Sequence, residues 1–83
     1  MKKIKITKIG IQEGGEISTF NAVNQERYGY INNEPQVGER FIIYNYKKVT
    51  MFDFWSTSTV TKIIDNNTFD TVYSTYKWEY VNE

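Results

Sequence analysis

The chain predicts an all-β fold: a small antiparallel barrel or sandwich of five or six strands, closed in an SH3-like or OB-like manner. Three observations carry that expectation. Short segments are rich in β-branched and aromatic residues and several alternate with period two; turn-forming clusters recur about every eight to twelve residues; and no stretch of helix length shows a 3.6-residue apolar period. Seven Tyr, five Phe and two Trp make up 17% of the 83 residues. Each such ring can bury roughly 150–250 Å². Rings are therefore the natural building material for this core, because a chain this short buries only about 60% of the surface that its unfolded form exposes.

Residues 2–9 alternate Lys and Ile, placing Ile4 and Ile6 on one face and Lys3, Lys5 and Thr7 on the other, the pattern of a half-buried strand. Gly14-Gly15 marks a turn, and residues 16–20 form a β-leaning run suited to a hairpin with the first strand. Residues 22–27 have a slight helical leaning but are too short and polar to stand alone, and read as loop or a single turn. Tyr28-Gly29-Tyr30-Ile31 is a strand whose glycine marks a bulge or the close approach of another backbone. After the break at Asn32-Asn33-Glu34-Pro35, residues 41–46 are apolar on both faces at first and read as the central strand. Residues 49–55 read as its hairpin partner, with Lys47 and Lys48 at the tip.

Residues 56–64 are dense in β-branched side chains, which favours strand over helix. Asp65-Asn66-Asn67 is the clearest turn in the chain, because Asn and Asp tolerate left-handed conformations at low cost. Residues 68–81 read as a last strand with a change of phase near residues 72–74, the sign of a bulge. The whole chain, 1–83, is expected to be one β domain, without a linker, low-complexity tract or internal repeat.

Composition narrows the chemistry. There is no Cys and no His, which removes disulfides, thiolate chemistry, the commonest transition-metal ligands and the commonest general base. Asp65-Asn66-Asn67-Thr68-Phe69-Asp70 gathers carboxylates and amides but lacks the spacing, central Gly and terminal Glu of a calcium loop, so it reads as a turn. The glycines do not form a phosphate-cradling spacing. No metal site, cofactor or enzymatic activity is expected. Ten basic residues balance ten acidic ones, which argues against a binder held mainly by phosphate contacts. Residues 1–8 and 40–62 are net basic, whereas 9–39 and 63–83 are net acidic. No apolar run suits a signal segment or a membrane span, and the expected location is cytoplasmic.

The segments Pro35-x-Val37-Gly38, Thr57-Ser58-x-Val60-x-x-Ile63 and Phe69-x-Thr71-x-x-Ser74-x-Tyr76-x-Trp78 resemble a pattern recurring in very short uncharacterised β-barrel proteins of phages and mobile elements. The likeness covers about half the chain, and residues 1–30 carry none of it. Its motifs are strand-and-turn patterns, with no activity that transfers to named residues. What the resemblance implies is a setting among accessory viral genes, whose products often act by occupying a host protein's surface.

The aromatic surplus supplies the candidate binding residues. Tyr28, Tyr30, Tyr44, Tyr46 and Trp55 lie on strands or strand ends, where alternation leaves about half of all side chains facing out; Lys47 and Lys48 adjoin them. Tyr and Trp are effective anchors in protein interfaces, so the expected function is that of a non-enzymatic interaction protein. Its partner would be a protein, with a host defence or regulatory factor fitting the phage resemblance. Two alternatives remain. The same rings and lysines could stack and neutralise single-stranded nucleic acid or a small nucleotide, or an exposed edge strand could pair copies into a structural homodimer.

Overall fold

The computed structural model describes residues 1–12, 23–47 and 53–82. Six strands follow in chain order: β1 (Lys2–Ile11), β2 (Glu26–Ile31), β3 (Arg40–Tyr44), β4 (Phe54–Asp65), β5 (Thr68–Thr71) and β6 (Ser74–Tyr80). Each pairs antiparallel with the next, and β6 returns to β1, so the sheet closes into a barrel without a crossover. The expected small antiparallel barrel is thus formed. Its strand order is an up-and-down meander, whereas OB closure requires a Greek-key connection.

Alternation explains which side chains fill it. Ile4 and Ile6 of β1, Ile31 of β2, Phe41 and Ile43 of β3, Val60 of β4, Phe69 of β5 and Tyr76 and Trp78 of β6 form one buried cluster. Phe69 is at its centre: it meets Phe41 edge-on with centroids 5.4 Å apart and stacks on Tyr76 at 5.5 Å. The interior is a packed core rather than a lumen.

Gly29 faces inward opposite Ile4. A Cβ there would overlap the Ile43 side chain and lie 2.8 Å from the Tyr44 carbonyl oxygen. The close approach expected of this glycine is realised, and it lies beside the lone register pair of β2 with β3, Tyr30 opposite Tyr44.

Several expectations change in detail. Residues 41–44 are not apolar-buried on both faces: Phe41 and Ile43 point in, while Ile42 is exposed. The runs expected as two strands, 49–55 and 56–64, join in the described part into the single β4. Its first half pairs with β3 and its second with β5, with register shifts between Arg40 and Ile42 and again after Val60. No Gly, Pro or Asx interrupts residues 54–64, so bulges rather than a turn pass the strand from one neighbour to the other.

The phase change at 72–74 is a hairpin turn, not a bulge, and it places Phe69, Thr71, Ser74, Tyr76 and Trp78 all inside. Thr71 makes this turn without glycine. Its buried hydroxyl oxygen accepts from the Ser74 amide at 3.1 Å and its hydroxyl donates to the Ser74 carbonyl at 3.2 Å. The Gly14-Gly15 turn, the 16–20 strand and residues 49–52 lie outside the described residues; of the segment 22–27, expected as loop or a single turn, residues 23–24 form a turn but Glu26 and Arg27 already open β2, and β1 itself pairs with β2 and β6.

At the β4–β5 turn, Asp65 Oδ1 accepts the Asn67 amide at 2.8 Å. That bond, followed by one from the Thr68 hydroxyl, holds the Asp65 carboxyl below its ordinary value. A depressed folded pKa favours the fold above the unfolded pKa, and that contribution is lost as pH falls through the folded one. In a pH titration followed by carboxyl-carbon NMR, Asp65 is therefore expected to protonate at lower pH than a free aspartate. A midpoint at or above the ordinary value would show that the turn contacts are not made in solution.

Candidate functional site

Strand register assembles the candidate residues. Lys3 of β1 lies opposite Tyr30 of β2, Tyr30 opposite Tyr44 of β3, and Tyr44 opposite Phe54 of β4. Directly paired residues share a face, so these four side chains form a transverse row on the outside of the barrel, about 14 Å long at the usual strand spacing. The Tyr44 and Phe54 rings are tilted against each other at 6.2 Å. Tyr28, 57% exposed, extends the row along β2, and the Lys3 ammonium lies 5.8 Å from its ring centroid. Ile42 adds an exposed aliphatic side chain two residues before Tyr44.

The basic groups bordering this strip are already engaged. Lys5, opposite Tyr28, reaches Glu79 at 3.0 Å and Glu26 at 3.8 Å. The hydrogen bond to Glu79, then the charge of Glu26, raises its pKa. Lys47 is exposed beyond the end of β3, as is Tyr46, which is 61% exposed. Lys48 lies outside the described residues.

Trp55 departs from the expectation that it would join this strip. It is paired with Ile43 and faces inward, with its ring edge-to-face with Tyr76 at 5.9 Å and the Arg27 guanidinium 4.9 Å from its centroid. Arg27 and buried Lys8 continue the inward parity of their strands, so this end of the barrel's interior carries positive charge beside two aromatic rings. Phe54 was the ring missed by sequence reasoning. Alternation separates Phe54 from Trp55 but cannot say which faces in; the register with Tyr44 decides it.

A second feature lies at the opposite mouth, where the β4–β5 turn and the segment after β2 flank the end of β6. Tyr80 has the inward parity of Trp78 but lies beyond the core and is 46% exposed. Its hydroxyl donates to Glu34 Oε2 at 2.7 Å. Burial, then this bond to a carboxylate, raises the phenol pKa. Two grooves, of about 400 Å³ and about 330 Å³, are both lined by Glu34 and Tyr80. The sequence does not pair Glu34 with Tyr80, because their meeting depends on barrel closure.

Among the described residues, no three His, Cys, Asp or Glu side chains gather in a way that could hold a metal ion, and no helix is long and apolar enough to cross a membrane. No protein-family model, curated protein or solved structure matches the chain.

Proposed function

We propose that the protein is a non-enzymatic interaction module that binds another protein through the outer strip of Tyr28, Tyr30, Tyr44 and Phe54. The observation that carries this reading is the row itself: three rings on three successive strands, side by side on the solvent face, in a domain small enough to need its rings inside. Rigid aromatic side chains contribute large contact area at little entropic cost and dominate many interfaces. Tyr46 and Lys47 border the strip, and Ile42 widens it. In the phage or mobile-element setting implied by the sequence resemblance, the partner is a host defence or regulatory protein.

A protein suits the strip better than a nucleic acid. Lys5 is held by two carboxylates and Lys3 lies by the Tyr28 ring, while the whole chain has no net charge. Phosphate contacts, which supply most of the affinity for nucleic acids, are accordingly few.

Quantitative affinity capture from host lysate, comparing the native chain with a Tyr30→Ser/Tyr44→Ser variant of unchanged far-UV circular dichroism, tests the proposal. A stoichiometric partner is expected to be recovered by the native chain and bound at least about tenfold more weakly by the variant, as when interface anchors are removed. Identical recoveries, or no partner at any salt concentration, would defeat it. Titration of a fluorescently labelled oligothymidylate at low salt, followed by its anisotropy, examines the competing reading; saturable binding abolished by the same two substitutions would replace the protein partner by single-stranded nucleic acid.

A further inference from the structure

The groove at the β4–β5 end of the barrel has a chemistry of its own, independent of the outer strip. It is lined by the exposed Ile63 and Tyr80, the buried Phe69 and Trp78, and the acidic residues Glu34 and Asp65. Trp78 and Tyr80 meet edge-to-face at 5.1 Å, and the Asn67 side-chain amide donates to the Trp78 carbonyl at 3.0 Å, so this part of the lining is braced. Glu34 offers Oε2 to Tyr80, and its other oxygen has no partner among the described residues.

The neighbouring groove shows what this arrangement attracts. Glu34 and Tyr80 line both grooves. In the smaller one the chain supplies its own cation: Lys2 lines that groove, and its ammonium lies 5.2 Å from the Tyr80 ring centroid. In the larger one the same ring and carboxylate recur with Asp65 added, and no Lys or Arg lines the space. A ring face attracts a cation, and more strongly when it is partly desolvated; flanking carboxylates add charge-assisted hydrogen bonds.

The geometry points to this groove as a receptor for a basic side chain presented by a partner polypeptide, the counterpart of Lys2 in the neighbouring groove that shares Glu34 and Tyr80. Arginine fits best, because its planar guanidinium can lie on a ring while directing donors to more than one carboxylate. Most of the lining belongs to the paired β4–β5 hairpin and to β6, while Glu34 and Pro35 come from the segment after β2.

The test uses the isotope-labelled full chain and two probes, N-acetyl-glycyl-arginyl-glycinamide and its citrulline counterpart, which keeps the shape and removes the charge. The arginine probe is expected to shift the Trp78 indole and the Asn66 and Asn67 side-chain amide signals, with millimolar affinity that falls with added salt. Glu34→Gln is expected to weaken it about tenfold, the loss of one hydrogen bond between charged groups. Tyr80→Leu should weaken binding, whereas Tyr80→Phe, which keeps the ring, should retain it. Equal shifts from both probes, no shifts from either, or a Glu34→Gln variant that binds as well as the native chain would each overturn the assignment. Because none of these substitutions touches the outer strip, failure here and failure of the proposed interaction are distinguishable.

Discussion

Substituting Gly29 with alanine is expected to destabilise the barrel by about 2–3 kcal/mol, the range of a small-to-large change in a packed interior. The added methyl would overlap the Ile43 side chain and meet the Tyr44 carbonyl oxygen at 2.8 Å. A side chain can turn aside where space allows, but Ile43 is itself buried in the core. The carbonyl is backbone and moves only with β3. The strain therefore falls on the β2–β3 seam, whose register is defined by one pair, Tyr30 with Tyr44. Replacing glycine also restricts the unfolded chain, a gain of about 0.4–1 kcal/mol that offsets only part of the overlap. Urea unfolding measures the net effect, and amide exchange at Tyr30 and Tyr44 should accelerate. An unchanged midpoint would show that the two strands do not approach this closely in solution.

Phe69→Ala should cost more, about 3–5 kcal/mol, because deleting a buried ring loses its transfer free energy and leaves a cavity that neighbours fill only in part. Phe69 is wholly inaccessible to solvent, and it touches rings from both β3 and β6. In a domain of this size each kcal/mol moves the melting temperature by roughly 4–8 °C, so the variant is expected to melt more than about ten degrees lower or fail to fold. Phe54→Ala is the matched control. That ring is 46% exposed on the outer face, and its loss should cost no more than about 1 kcal/mol, as is usual for surface changes. Similar losses from the two substitutions would overturn the assignment of Phe69 to the inside and Phe54 to the outside.

Much of this fold was legible because period-two alternation is a local property. Ile4 and Ile6 identify the inner face of β1 without knowledge of its partners, and the β-branched run ending at Ile64 declares itself a strand. The misread points depended on distant contacts. Val72-Tyr73 turns the chain without Gly, Pro or Asn, because Thr71 supplies the hydrogen bonds that a turn residue would otherwise arrange. β4 passes from β3 to β5 through register shifts that leave no mark in composition.

The candidate site divides along the same line. Alternation nominated Tyr28, Tyr30 and Tyr44 as ring-bearing strand residues, and register places them side by side. The same alternation left Trp55 and Phe54 interchangeable, and only the pairing of Ile43 with Trp55 and of Tyr44 with Phe54 sorts core from surface. Glu34 and Tyr80 are far apart in sequence and meet across the mouth of the closed barrel, so no local pattern could have nominated their groove.

Closure by β1 and β6 also bears on how the chain reaches its fold. The β4–β5 and β5–β6 hairpins join residues that are near neighbours in sequence, and such hairpins form in about 1–10 μs. The pair Ile4 and Tyr80 must instead bring together segments separated by most of the chain, against a closure entropy that grows with the logarithm of the intervening length. Refolding in stopped-flow experiments should accordingly fall in the millisecond-to-second class of topologies rich in non-local contacts. Until that last seam zips, the outward-facing tyrosines and the unpaired flanks of β1 and β6 are exposed together, so the slow step of folding coincides with the period of greatest risk of association between chains.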